Sequence, residues 1–106
     1  MQTLAGSRLC MLDEKRNVIS ARTMDEWINF MGTPRRVCET NVRGVRISTA
    51  FVGLTKPSGE AQPFETMLFR GNEPLPESAR YATWKDAEKG HAQFVAWVRA
   101  GIVAAQ

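Results

Sequence analysis

The chain has 106 residues, of which 43% are hydrophobic and 24% charged. This composition is typical of one folded domain and excludes a disordered or low-complexity chain, so we expect a single domain over residues 1–106. No run approaches the roughly 18 apolar residues of a membrane helix, and the N-terminus lacks the blocks of a secretory signal, so a cytoplasmic protein without membrane contact is expected. Two cysteines, Cys10 and Cys38, are too few for a disulfide scaffold.

The net charge of +3 lies in the first half of the chain. Residues 1–50 hold eight Lys/Arg against five Asp/Glu, and residues 51–106 hold six against six. The excess is concentrated at four arginines that only Glu39 opposes locally: Arg35, Arg36, Arg43 and Arg46. A solvated basic face is the favoured interpretation, and contact with an acidic partner or a nucleic acid is the alternative, because a nucleic-acid footprint is usually denser.

The first 35 residues predict a hairpin and a short helix. Residues 8–12 and 18–19 are short apolar runs on either side of a polar turn. Thr23 and Glu26 then form a capping box, and the helix is expected to end at Met31, before Gly32. Spacing of i, i+3, i+4 and i+7 predicts one buried face made of Met24, Trp27, Ile28 and Met31.

The middle of the chain carries the clearest strand signals. Runs 36–42 and 45–54 flank Arg43-Gly44, where a positive φ at Gly44 suits an antiparallel hairpin. A third strand, 64–69, has apolar groups on both faces, which predicts a strand that is central or covered on both sides and favours a helix lying on the sheet. Segments 55–63 and 71–78 are predicted loops, the second because it is rich in proline, and residues 80–82 are a candidate for a brief return to the sheet.

A long helix is predicted with Thr83 as its N-cap and Gly101 at its end. Its apolar stripe includes Trp84, His91 and Phe94. These elements define the expected fold. It is an α+β domain with an antiparallel four- to five-stranded meander, a short early helix and a long C-terminal helix packed on one face.

Enzyme chemistry finds no support in the residue pattern. The single histidine, His91, has no nucleophile elbow near it in the sequence and is expected to pack on the long helix. No spacing typical of a metal site is present, and the isolated glycines, Gly53, Gly90 and Gly101, fit no phosphate-binding loop. We therefore expect no catalytic residue, no metal and no cofactor.

Two further residues are candidates for partner binding. Glu65 is an acid in an otherwise uncharged strand, where a cross-strand ion pair with Arg46 or Arg70 is the favoured interpretation and a pocket or partner contact is the alternative. Trp97 falls at the edge of the helical stripe and could belong to a dimer or partner surface.

Three ordered segments carry a resemblance to a group of small phage and prophage proteins of unassigned activity. They are VRISTAFVGL at 45–54, FETMLF at 64–69 and RYATWKDAEKGH at 80–91, and they are similar to segments of the group that read roughly VRVSTVFLGL, FETMVF and RYSTWEEAEAGH. The likeness covers about residues 36–95. It departs after Leu54, where relatives commonly continue with Asp-His and this chain has Thr55-Lys56.

The resemblance implies a viral origin and supplies no catalytic residues. We therefore expect a non-enzymatic phage protein that acts in the host cytoplasm by binding a host protein or defence complex, such as an anti-CRISPR or other counter-defence inhibitor. The candidate contact residues are Arg35, Arg36, Arg43, Arg46, Glu65 and Trp97. The alternative is a nucleic-acid-binding or regulatory module that uses the basic hairpin.

Overall fold

The computed structural model describes residues 9–55 and 61–104, which form six strands and two helices. The strands are β1 (Cys10–Leu12), β2 (Val18–Ser20), β3 (Arg36–Val42), β4 (Val45–Phe51), β5 (Phe64–Arg70) and β6 (Glu73–Tyr81). The helices are α1 (Met24–Met31) and α2 (Trp84–Arg99). Strands β3 to β6 form an antiparallel meander in chain order, and β1 and β2 form a separate hairpin. The predicted α+β class and its meander are confirmed.

The β3–β4 hairpin is closed by the predicted two-residue turn. Arg43 has φ 52° and Gly44 has φ 78°, the pair of positive angles that matches a tight turn to the twist of the strands. Val42 and Val45 are therefore directly opposite each other, and the alternation of side chains along both strands follows from this register.

The prediction of a loop at 71–78 was wrong, because most of that segment belongs to β6. Pro74 and Pro76 are tolerated there because β6 is an edge strand, where a missing backbone N–H breaks no essential ladder bond. The pairing with β5 is irregular between Met67 and Phe69, close to these prolines. Of the other predicted loop, 55–63, residues 56–60 lie outside the described residues.

Helix α1 begins as predicted, since the Thr23 side chain accepts a hydrogen bond from the Glu26 amide at 3.1 Å. Its buried face differs from the predicted one. Trp27 and Phe30 pack towards the first hairpin, whereas Met24 and Ile28 are 46% and 54% exposed. The inward face is rotated by part of a turn from the predicted one, and Phe30 also packs edge-on against Phe51 of β4, with ring centres 5.7 Å apart.

Helix α2 covers one face of the four-stranded sheet. Its N-terminus is capped by Thr83, as predicted, and its buried residues are Ala87, His91, Phe94 and Val98. Two apolar clusters lie beneath it. One is built from Val42, Val45, Ile47, Leu68, Phe94 and Val98, and the other from Cys10, Phe51, Phe64 and Ala87.

A buried polar layer includes His91 and links α2 to three strands. The His91 ring lies 2.8 Å from the Thr40 hydroxyl through Nε2 and 2.8 Å from the Thr49 hydroxyl through Nδ1. The Thr49 hydroxyl also bonds to that of Thr66, at 2.5 Å. Because a hydroxyl can donate or accept, neutral His91 is satisfied in either tautomer. Burial lowers the pKa of His91 below its ordinary value of 6.5, since no described acid neutralises the charged ring.

Gly90 is required by the close approach of α2 to β6. A Cβ atom at this position would lie 2.1 Å from Cε1 of the Tyr81 ring. The aromatic ring of Tyr81 therefore fixes the distance between α2 and the edge strand β6. Burial also raises the pKa of the Tyr81 hydroxyl, an effect that the nearby Thr66 hydroxyl partly opposes.

Gly90→Ala should destabilise the protein although alanine is the better helix former by about 1 kcal/mol. The clash with Tyr81 should cost about 1 to 3 kcal/mol, the usual range for overpacking. Thermal and urea unfolding measure the change. In a Tyr81→Ala background the same substitution should become neutral or stabilising, and equal destabilisation in both backgrounds would show that the ring is not the cause.

The stability of the protein should fall as pH decreases from about 6.5 towards 5.5. The pKa of His91 is lower in the folded protein than in the unfolded chain, so the unfolded chain binds the proton first as pH falls. The stability that His91 contributes is therefore complete above the unfolded pKa. Below it, the free energy of unfolding falls by up to about 1.4 kcal/mol per pH unit. Urea unfolding at pH 5.5, 6.5 and 7.5 measures the slope. A His91→Gln variant should be less stable and lack this part of the slope, and an unchanged slope would assign it to other groups.

Candidate functional site

No described helix covers the sheet face opposite α2, and we call it the open face. Its side chains form three cross-strand rows, because residues paired across an antiparallel sheet point to the same side. Each row takes one residue from β3, β4, β5 and β6 in that order. The first row is Arg36, Ala50, Glu65 and Arg80, and the second is Glu39, Ser48, Met67 and Ser78. The third row is Asn41, Arg46, Phe69 and Pro74.

The centre of the open face is apolar. Met67 lies between Ser48 and Ser78, and Phe69 is its neighbour two residues along β5. Both side chains are half-buried. The Arg46 guanidinium lies 4.2 Å from the centre of the Phe69 ring, a distance typical of a cation–π contact. A polarizable thioether and a ring with a cation above it therefore lie next to each other on β5, on a face whose other residues are mostly polar or charged.

Only two of the four predicted arginines extend onto this face. Arg36 lies 3.4 Å and Arg46 lies 3.9 Å from the same Glu39 carboxylate oxygen. The three side chains together carry one net positive charge. Because they are partly exposed, these ion pairs contribute little to stability, and their arginines can change partners at little cost.

Arg35 has a structural role that the sequence did not reveal. Its Nε donates to the Met31 carbonyl at 3.1 Å, and its Nη1 donates to the Phe51 carbonyl at 2.6 Å. These bonds tie the end of α1 to the end of β4. The guanidinium also borders a shallow cleft of about 410 Å³, lined by Thr33, Pro34, Arg35, Arg36, Ser48 and Ala50.

Glu65 is directly opposite Arg80 on β6 but is not paired with it. Arg80 instead donates from Nε to the Gln62 carbonyl at 2.9 Å and from Nη2 to the Leu54 carbonyl at 2.7 Å. The ion pairs expected from the sequence do not form either. Arg46 bonds to Glu39, and Arg70 lies on the other face of the sheet and donates to the Ala104 carbonyl at 2.9 Å. Among the described residues, no side chain pairs with the half-buried Glu65 carboxylate.

Arg43 and Trp97 lie away from the open face. Arg43 donates to the Arg99 carbonyl at 3.4 Å, where its charge complements the negative end of the helix. Trp97 is 36% exposed on α2 and packs edge-on against Phe94, with ring centres 5.3 Å apart. The structure therefore brings Arg36, Arg46 and Glu65 together and separates them from these two residues.

The residues that the sequence did not single out are Met67, Phe69 and Arg80. A signal for the first two was present, since β5 alternates with apolar groups on both faces. The second apolar face was interpreted as a reason for cover on both sides. In the structure, no described helix covers this second face, and its apolar groups lie at the surface.

Arg35→Gln should lower the free energy of unfolding by about 1.5 to 3 kcal/mol, since two carbonyls lose a charged donor. Arg36→Gln is the matched control, because Arg36 makes only a surface ion pair and its loss should cost less than about 0.5 kcal/mol. Urea unfolding of both variants compares the costs. Equal effects would contradict the structural role of Arg35.

Other classes of site find no support in residues 9–55 and 61–104. These residues contain no cluster of three or more His, Cys, Asp or Glu that could hold a metal ion. None of their helices is both long enough and apolar enough to cross a membrane. The chain matches no protein-family model, no curated protein and no solved structure.

Proposed function

We propose that this chain is a phage-encoded, non-enzymatic binding protein that blocks a host protein or defence complex, such as a CRISPR effector, through its open face. The viral part of the proposal rests on the resemblance of residues 36–95 to phage and prophage proteins. The binding part rests on the open face. A stoichiometric inhibitor needs a surface rather than a catalytic group, and the host cytoplasm is where it would act.

The observation that carries the proposal is the composition of the open face. Its inner strand β5 carries Met67 and Phe69, and charges of both signs lie around them at Arg36, Glu39 and Glu65. Methionine, aromatic residues and arginine are enriched at protein interfaces, and a charged rim around an apolar centre is the usual arrangement. The solvated face of an antiparallel sheet normally carries polar groups, so two apolar side chains at its centre favour contact with another protein.

The charges of this face favour a protein over a nucleic acid. Arg35 and Arg80 donate to main-chain carbonyls, and Arg43 is at the far end of the hairpin. Arg36 and Arg46 share Glu39, and Glu65 would repel phosphates. The dense basic stripe that drives phosphate binding is therefore absent from the described part of the open face.

The proposal is tested by capture from nuclease-treated host lysate with tagged wild-type protein and a Met67→Lys variant. Met67→Lys places a charge in the apolar centre and should reduce capture of the specific partner at least tenfold while the fold is retained, because an unpaired charge is costly in a desolvated interface. Ile28→Lys is the matched control, since Ile28 is exposed on α1, away from this face, and it should capture as the wild type does. The captured protein is identified by mass spectrometry, and its inhibition is measured with the same three proteins.

Two outcomes would contradict the proposal. Equal capture and inhibition by Met67→Lys would place the binding surface elsewhere. Sub-micromolar binding of wild-type protein to random DNA, with a steep loss between about 50 and 200 mM salt, would support the nucleic-acid alternative. We expect binding to DNA no tighter than about 10 μM at physiological salt, weaker than many non-specific binders.

A further inference from the structure

Glu65 differs from the other charged residues of the open face. Arg36, Glu39 and Arg46 form one connected ion-pair group, and Arg80 is bound to two carbonyls. No described hydrogen bond or ion pair involves the Glu65 side chain. Glu65 is half-buried on an inner strand of the sheet, between Ala50 and Arg80.

The position of Glu65 constrains any partner that covers the open face. Glu65 precedes Met67 by two residues on the same face of β5, so a protein that buries Met67 also removes water from the Glu65 carboxylate. A carboxylate buried without a partner is strongly unfavourable. Arg80 is the cation directly opposite on β6, but its Nε and Nη2 are held by the Gln62 and Leu54 carbonyls, and no ion pair forms between Arg80 and Glu65 among the described residues.

We propose that the protein partner supplies a cationic side chain, arginine or lysine, that pairs with Glu65, and that this pair determines specificity. The inference rests on the proposed function, since it requires the open face to be the binding surface. Glu65 is suited to this role because its neighbour Ala50 is small, which leaves room for the stem of a long side chain.

The probe is a random 12-residue peptide library displayed on a surface and selected against the full wild-type chain. Counter-selection against the Met67→Lys variant removes peptides that bind elsewhere. Sequencing of the remaining peptides should show one position dominated by arginine or lysine, next to apolar residues that cover Met67 and Phe69. A synthetic peptide of the consensus sequence is then titrated against purified proteins.

Three variants give the decisive comparison. Glu65→Gln should weaken the peptide at least tenfold and Glu65→Lys at least a hundredfold, with melting temperatures close to that of the wild type. Glu73→Gln is the matched control, because Glu73 is an exposed acid at the start of β6, opposite Arg70 and outside the three rows, and it should change affinity less than twofold. A peptide in which glutamine replaces the cation should bind wild type and Glu65→Gln equally.

The outcomes separate the inference from the proposed function. If peptides that depend on Met67 are recovered but show no cationic position, or bind Glu65→Gln as tightly as wild type, the inference is overturned and the open face is still supported as a binding surface. If counter-selection removes every binder, the open face is not the binding surface, and both proposals fail. Recovery of a cation whose effect requires Glu65 supports both.

Discussion

The fold depends on a buried histidine that is hydrogen-bonded without a charge partner among the described residues. The His91 ring is hydrogen-bonded to Thr40 on β3 and to Thr49 on β4, and the Thr49 hydroxyl is hydrogen-bonded to Thr66 on β5. Hydrogen bonds are directional, so this layer sets the position of α2 along the sheet, which apolar contacts alone would leave less well determined. Removing the ring would leave the half-buried Thr40 hydroxyl without this partner and the buried Thr49 hydroxyl with Thr66 alone, and a polar group that loses its partner costs more than the bond contributes.

The position of α2 determines which face of the sheet is available. The described chain contains one long helix, and it crosses all four strands of the meander on one side. The half-buried side chains of the other side are therefore in contact with solvent. A single covered face is ordinary for an antiparallel sheet, but apolar residues at the centre of the uncovered face are less so. The exposure of Met67 and Phe69 on this uncovered face is the basis of the proposal that a partner contacts them.

Four of the nine described arginines have a structural role. Arg35, Arg43, Arg70 and Arg80 all donate to main-chain carbonyls. A guanidinium suits this role because its planar fork presents several donors at fixed angles and stays charged at any physiological pH. The positive charge of the chain is thereby distributed around its loops and helix ends. The part of the surface that the structure describes is therefore mixed in charge.

The sequence by itself determined the local elements of this protein and their alternation. The caps at Thr23 and Thr83, the turn at Arg43-Gly44 and the period-two pattern of β4 act within a few residues, so they were readable without the fold. Tertiary structure decided what depends on distant neighbours. It made 73–81 a strand because an edge tolerates proline, rotated the buried face of α1, and turned Arg80 away from Glu65 towards two loop carbonyls. Whether a side chain is a structural donor or a free charge depends on groups far away in the chain, and only the folded arrangement brings those groups within hydrogen-bond distance.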